Sequence, residues 1–311
     1  MNDTLLLLVP IAAEHKALLL ARFQVIEATD PAARAAAIAA HAADIELVLT
    51  NGSVGFTAAE IAALPRLKLL AALGAGYENL DRAAARARGV ALCNGAGTND
   101  DCVADHALAL LLASVRALPQ QGKALRAGIW RDDLLLYPSL GGRRLGIVGL
   151  GAIGRKIAHR AAAFGMVIGY HNRTPRPDAG DASYFDSPQG LAAWADDLVV
   201  ATPGGAATRH IVDAAVLAAL GAGGHVVNIA RGSCVDTAAL AAALKAGQIA
   251  GAALDVYESE PQPPAELASL DNVILTPHVA GWSPESVRAS VQNFIDNADA
   301  LRRGAPLPTP I

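Results

Sequence analysis

Three polar residues in the second half of the chain stand where neither propensity nor burial would put them. Arg231 follows the apolar run Val226-Val227-Asn228-Ile229-Ala230, Glu260 lies just past Ala253-Leu254-Asp255-Val256-Tyr257, and His278 closes Leu275-Thr276-Pro277-His278. Each comes after a candidate strand, so a guanidinium, a carboxylate and an imidazole reach one carboxyl edge of a sheet, where open α/β folds bind ligands. These are the parts for reducing a 2-oxo acid. Arg231 can hold a carboxylate in a planar two-pronged grip and polarise the neighbouring carbonyl. His278 can give the proton that the carbonyl oxygen needs as hydride arrives, because imidazole titrates near neutrality. Glu260 would favour the imidazolium and fix which ring nitrogen faces the substrate.

A hydride donor needs a site, and Leu145-Gly146-Ile147-Val148-Gly149-Leu150-Gly151-Ala152-Ile153-Gly154-Arg155 provides the pattern for one. GxGxxG stands here directly after an apolar strand and at the mouth of a helix. Its glycines allow a tight turn, close approach of backbone to a pyrophosphate, and close packing of helix on strand. The helix N-terminus adds unpaired N–H groups and a positive dipole end. A second strand, Met166–Tyr170, leads into His171-Asn172-Arg173-Thr174-Pro175-Arg176. An NAD site needs a carboxylate there for the ribose 2′-OH, and none occurs before Asp178. Arg173 can instead pair with a 2′-phosphate, and Arg176 could add a contact. NADP(H) rather than NAD(H) is the expectation.

Elements to position these residues recur along the whole chain. Strand candidates are Leu5–Val9, Glu46–Thr50, Lys68–Ala72, Val90–Asn94, Leu145–Val148, Met166–Tyr170, Leu198–Ala201, His225–Ile229, Ala250–Leu254 and Val273–Leu275. Helical segments such as Pro31–Ala43, Asp101–Leu118, Ile153–Phe164 and Thr237–Ala246 lie between them. This alternation predicts parallel sheets covered on both faces, and ten strands are many for one sheet, so two α/β domains are expected. A Gly- and Asn-rich loop at Asn94–Asn99 and a breaker at Gly281-Trp282-Ser283-Pro284 mark the boundaries. The last helix, from about Glu285 to Arg303, carries Val287, Val291, Phe294, Ala298 and Leu301 on one face.

Composition removes several other classes. The 311 residues are 53% hydrophobic and 17% charged, which excludes a disordered chain. With 25 basic against 29 acidic residues the net charge is −4, and no basic cluster is present to neutralise phosphates of a nucleic acid. No membrane span is expected, since the longest uncharged run, Ala214 to Ala230, is interrupted by Gly221, Gly223, Gly224, His225 and Asn228. The run Leu5–Val9 lacks the basic lead-in of a secretion signal and reads as a buried strand. Cys93, Cys102 and Cys234 form no pairing framework, which points to a reducing cytoplasm.

Taken together, the GxGxxG segment, Asn228-Ile229-Ala230-Arg231-Gly232, Ala253–Tyr257 with Glu260-Pro261, and Thr276-Pro277-His278 resemble the D-isomer-specific 2-hydroxyacid dehydrogenases. Within that family the chain is similar, nearly end to end, to NADPH-dependent glyoxylate/hydroxypyruvate reductases. The resemblance implies two Rossmann-like/flavodoxin-like α/β domains with parallel sheets and an active site in the interdomain cleft. Residues 1–99 and 282–311 would form a discontinuous substrate-binding domain, and 100–281 the NADP-binding domain. Arg231, Glu260 and His278 would be catalytic. The substrate carboxylate would meet backbone N–H groups at Gly74, Ala75 and Gly76, together with Arg231 and His278.

The implied cofactor site comprises Thr98, Gly149, Gly151, Ala152, Ile153, Gly154, Arg155, Asn172, Arg173, Thr174, Thr202, Pro203, Ile229, Ala230, Arg231, Asp255, His278 and Gly281, with no metal. The resemblance also implies a homodimer built on Asp101–Leu118 and the following arm, and Ala107–Ala113, apolar nearly all round, does need cover. Two residues depart from the common pattern. Asp105 stands where relatives often carry Glu, and the bulky Trp282 would either narrow the pocket or pack in the hinge. A neighbouring reading keeps the reaction but changes the substrate, to 2-ketogluconate or phenylpyruvate-type acids. A reading from another class is a dinucleotide-sensing corepressor-like protein, against which the intact Arg231, Glu260 and His278 speak.

Overall fold

Leu5, Leu6, Leu7 and Leu8 are all buried, and they divide between two cores. Leu5 and Leu7 pack with Leu19, Phe23 and Phe294, whereas Leu6 and Leu8 pack with Ile61 and Leu64. A run apolar on both faces belongs to a strand covered on both sides, and this is β1 (Thr4–Leu7). The computed structural model describes residues 3–311. From β1 the chain continues through α1 (Ala13–Leu20), β2 (Gln24–Glu27), α2 (Pro31–His41), β3 (Ile45–Thr50), α3 (Ala58–Ala63), β4 (Leu69–Ala72), α4 (Arg82–Ala87) and β5 (Ala91–Cys93). The strands form a parallel sheet ordered β2-β1-β3-β4-β5.

Local signals start these helices. The Asp30 carboxylate accepts the Ala32 and Ala33 N–H groups at 3.0 and 2.9 Å, and Pro31 fills the first turn of α2. Thr57 and Glu60 form a reciprocal capping box on α3.

The second sheet is built from β6 (Arg144–Val148), β7 (Val167–His171), β8 (Ser183–Phe185), β9 (Asp197–Val200), β10 (His225–Asn228), β11 (Gly251–Leu254) and β12 (Val273–Leu275). It is wholly parallel, in the order β12-β11-β10-β9-β6-β7-β8. The order reverses between β6 and β9, which is the switch point where doubly wound sheets bind ligands. One face is covered by α5 (Asp100–Val115) and α7 (Ala152–Ala163), whereas α6 (Leu118–Arg126), which follows α5, adds no residue to that core. The other is covered by α8 (Pro188–Trp194), α9 (Ala214–Leu220) and α10 (Thr237–Lys245). The last helix, α11 (Pro284–Arg302), returns to the first sheet, where Val291, Phe294, Ile295 and Ala298 meet Leu5 and Leu7. The chain thus divides into two units, residues up to Asn99 with Gly281–Ile311, and Asp100–Ala280.

The structure adds strands at β2 and β8, and it changes the reading of α5. Ala107, Leu108, Leu110 and Leu111 are buried against the helix's own sheet, so most of the cover that this apolar stretch requires comes from within the unit. Asp105 pairs with Arg160 at 2.6 Å and ties α5 to α7. Trp282 is 63% exposed and packs into none of the four apolar clusters that flank the two sheets. Among the described residues no single helix is long and apolar enough to cross a membrane.

His225 opens β10 as a buried residue of the second sheet, with Nδ1 2.8 Å from Ser114 Oγ. Burial, with the Arg143 guanidinium beside it, pushes its pKa from 6.5 down to about 4. The unfolded chain therefore binds this proton first as pH falls, and stability is lost between pH 6.5 and 4, to a total on the order of 3 kcal/mol. Urea unfolding across that range should show the loss in the wild type and a smaller one in His225→Gln; equal pH dependence in the two proteins would refute it.

Candidate active site

The glycine motif sits at the switch point of the second sheet. Gly149 follows β6 with φ of +105°, and a Cβ there would lie 2.8 Å from the carbonyl of Ala201 and the N–H of Thr202, just past β9. At Gly154 a Cβ would lie 2.1 Å from the Gly149 oxygen, so only glycine lets α7 start this close to its strand. Gly151, the N-cap of α7, faces open space on its Cβ side. Two glycines thus close the turn, and the third leaves room beside the N–H groups of a 12-residue helix, a cradle that fits a pyrophosphate. Ala152, Ile153 and Arg155 form the helix's first turn. Asn172, at the end of β7, accepts the Leu150 N–H at 2.7 Å and fixes the turn from below. Arg173 and Thr174 are exposed beyond it. Arg176 has a partner two residues away. Its guanidinium binds both oxygens of Asp178 at 2.8 and 2.9 Å, holding that carboxyl down to about 2, and is already engaged.

Arg231, Glu260 and His278 follow the adjacent strands β10, β11 and β12. Asn228 staples the first loop, accepting the Ala230 N–H and donating to the Arg231 carbonyl, both at 3.0 Å. The loop then presses on its neighbour, since a Cβ at Gly232 would lie 1.9 Å from the Tyr257 carbonyl carbon. The Tyr257 hydroxyl, with one hydrogen to give, lies 2.6 Å from the Thr276 carbonyl and 3.0 Å from the Leu254 carbonyl, and the Tyr257 N–H donates to Glu260 Oε1 at 2.8 Å. The other oxygen of Glu260 lies 2.8 Å from His278 Nδ1.

This bond holds the His278 pKa above its ordinary value, against burial and the Arg231 charge. Burial works against ionising Glu260, but the hydrogen bonds from His278 and the Tyr257 N–H keep its carboxyl below the usual range. The side chains of His278 and Glu260 remain 40% and 29% exposed. Arg231 donates from Nη1 to the Ala230 carbonyl at 2.5 Å and acts electrostatically on both members of the pair.

In the first unit, Gly74, Ala75 and Gly76 follow β4 as a half-exposed loop. The Gly74 carbonyl accepts the Gly95 N–H at 2.9 Å and the Ala75 carbonyl accepts Asn94 Nδ2 at 2.7 Å, which fixes the loop. A Cβ at Gly52 would lie 2.6 Å from the Gly76 carbonyl carbon, so the loop after β3 braces it as well. Thr98 is committed within this unit, with its Oγ1 2.6 Å from the Gly95 carbonyl and 2.7 Å from Ser290 Oγ. Gly281 packs against Asn99, whose Nδ2 would be 2.5 Å from an added Cβ.

The family model for the D-isomer specific 2-hydroxyacid dehydrogenase, NAD binding domain, matches residues 108–280. The chain is 39% identical to glyoxylate/hydroxypyruvate reductase A of Arabidopsis thaliana, with 87% of each chain covered. It is 38% identical to hydroxyphenylpyruvate reductase of Plectranthus scutellarioides over 88% of each. A crystal structure of an NADPH-dependent glyoxylate/hydroxypyruvate reductase from Sinorhizobium meliloti, in complex with NADP and malonate, superposes with a TM-score of 0.89. That protein is 38% identical, and the match covers 100% of this chain and 97% of that one. The chain belongs to the D-isomer specific 2-hydroxyacid dehydrogenase family.

In this dehydrogenase the Asp255 carboxylate does something that sequence reasoning did not find. The side chain is 1% exposed, and its oxygens accept the Thr276 hydroxyl at 2.6 Å and the Val279 and Ala280 N–H groups at 2.9 Å. The resemblance places Asp255 in the cofactor site; in this structure it clamps the loop carrying His278. His278 itself has a φ of +53°, a left-handed conformation uncommon for a residue with a Cβ. Its N–H donates to the Asp255 carbonyl at 2.8 Å, so both polar ends of Asp255 hold this loop. The sequence carried one sign of this, a lone acid at the end of a fully apolar strand. Ile229, Ala230, Thr202 and Pro203 lie in the loops after β10 and β9, on the same edge as Gly149.

Because Gly232 has no room for a side chain, Gly232→Ala must push the Arg231 loop off Tyr257 and so off Glu260. Turnover should fall about 100-fold, as expected when reacting groups shift by about 1 Å, while thermal unfolding remains cooperative. Steady-state kinetics with an intact melting transition checks this, and a wild-type rate would disprove it.

Proposed function

We propose that this dehydrogenase reduces small 2-oxo acids, glyoxylate and hydroxypyruvate foremost, to D-2-hydroxy acids with NADPH. The observation that carries the proposal is the 2.8 Å pairing of His278 Nδ1 with Glu260 Oε2 at the edge that also presents Arg231. A nicotinamide dinucleotide, when bound on the cradle of Gly149, Gly151 and Gly154, supplies the hydride. Arg231 takes the substrate carboxylate. With Nδ1 occupied by Glu260, the proton that reaches the carbonyl oxygen leaves from His278 Nε2. The ring ends as the neutral Nδ1–H tautomer, still bonded to Glu260, and the next proton restores the imidazolium. The two reductases at 39% and 38% identity differ in substrate size, one named for glyoxylate and hydroxypyruvate and the other for hydroxyphenylpyruvate. A panel of 2-oxo acids assayed with NADPH and NADH therefore tests the reading. Fastest turnover on the small acids supports it, and a preference for aryl acids transfers the assignment to the second class.

The absence of an acid in His171–Arg176, and the exposure of Arg173 beyond β7, support NADPH over NADH. A homodimer is likewise proposed, and it finds support in exposed apolar side chains along the arm at Leu125, Trp130, Leu135 and Leu136.

Two outcomes are expected. Arg173→Ala should weaken NADPH by roughly 10-fold or more through loss of a charge-assisted bond, with NADH little changed; equal losses for both would defeat the specificity assignment. Glu260→Gln should lower kcat/KM for reduction by about 10- to 100-fold. The donor works protonated, and Glu260 raises its pKa, so without the carboxylate the proton is lost at lower pH. The alkaline fall of the rate should accordingly begin at lower pH in Glu260→Gln, and an unmoved pH profile would contradict this role.

A further inference from the structure

Beneath the His278 loop lies a second imidazole that the mechanism does not use. His106 is on α5, and its side chain is 23% exposed. Its Nε2 lies 3.0 Å from Thr276 Oγ1 and 3.6 Å from Asp255 Oδ1. The Thr276 hydroxyl has a single hydrogen and gives it to Asp255 Oδ1 at 2.6 Å. Toward His106 the hydroxyl oxygen can therefore only accept, so His106 carries its proton on Nε2 and donates. The bonds form a directed chain, His106 Nε2–H to Thr276 Oγ–H to Asp255. It ends on the carboxylate that also takes the Val279 and Ala280 N–H groups.

We infer that His106 is a positioning residue for His278, acting through Thr276 and Asp255. Three features support this. First, the chain runs from a 16-residue helix held in the core, since α5 is buried along Ala104, Ala107, Leu108 and Leu111. Second, what it holds needs holding: His278 sits at φ of +53°, and such conformations persist only when their surroundings over-determine them. Third, Thr276 and Asp255 bracket that residue from both sides, since the His278 N–H donates to the Asp255 carbonyl at 2.8 Å and the Thr276 carbonyl at 3.0 Å. Chains of hydrogen bonds in a poorly solvated setting reinforce one another, so removing the first donor loosens the last acceptor.

The inference rests on His278 as the proton donor, and its test separates the two. His106→Phe removes the donor at similar volume, while His106→Gln keeps an N–H at nearly the Nε2 position. His106→Phe should lower kcat by about 10- to 100-fold, as displaced reacting groups do, with KM for the 2-oxo acid nearly unchanged. His106→Gln should recover most of the rate. In a His278→Ala background, His106→Phe should cost nothing further, because its effect passes through the missing ring. Should His106→Phe fail to fold, Thr276→Val against Thr276→Ser applies the same test at the middle of the chain, with the rate lost in the first and kept in the second. Wild-type kcat in His106→Phe, or an equal loss with and without His278, overturns the inference while leaving the donor role intact. Full activity in His278→Ala overturns both.

Discussion

The hydrogen bond between Glu260 and His278 joins two loops that are 18 positions apart in sequence and leave neighbouring strands. Loops seldom hold a 2.8 Å contact unaided, because ordering each residue costs roughly 1–2 kcal/mol. Here the ordering is supplied by one close backbone contact and a set of side-chain hydrogen bonds. Gly232 abuts the Tyr257 backbone, the Tyr257 hydroxyl ties its own strand's end to Thr276, and Asp255 gathers the chain from Thr276 to Ala280. The geometry of the His278 imidazole is thus a property of three strand ends and not of one loop.

Those ends coincide because β10, β11 and β12 are parallel and adjacent, which brings their carboxyl termini to one edge. A parallel sheet needs cover on both faces, and the alanine-rich helices provide it at close range. Gly146 and Gly169 show how close: a Cβ on either would strike side chains of α8 at 2.9 and 2.5 Å, those of Leu191 and Trp194. Dense packing of this kind resists displacement, so the rim inherits the rigidity of the core.

The central architecture was readable from residue order because a doubly covered strand has a simple signature. Leu5–Leu8, Leu47–Leu49 and Leu198–Val200 are apolar at consecutive positions, and each proves to face two cores. The strands that escaped notice, β2 and β8, lie at the edges of their sheets. There Gln24, Glu27 and Ser183 meet solvent, and no apolar run forms. Arg231, Glu260 and His278 were visible as polar residues following such runs. The bonds of Asp255, Thr276 and His106 were not, since they depend on which strand ends become neighbours and on how α5 crosses beneath them. Arg176 illustrates the same limit at shorter range, for its partner Asp178 is only two residues away, yet either could have faced a ligand.

The charges around His278 are balanced rather than maximised. Glu260 alone would make the imidazolium a reluctant donor, since each favourable contact with the charged ring must be weakened when the proton departs. Arg231 opposes it, lowering the ring's affinity for the proton, as does burial. A substrate carboxylate on Arg231 would neutralise part of that opposition and favour the imidazolium at the moment a keto acid is bound. In the proposed reaction the donor would then be most fully protonated when there is something to protonate, and Arg231 would serve the proton transfer as well as the grip on the substrate.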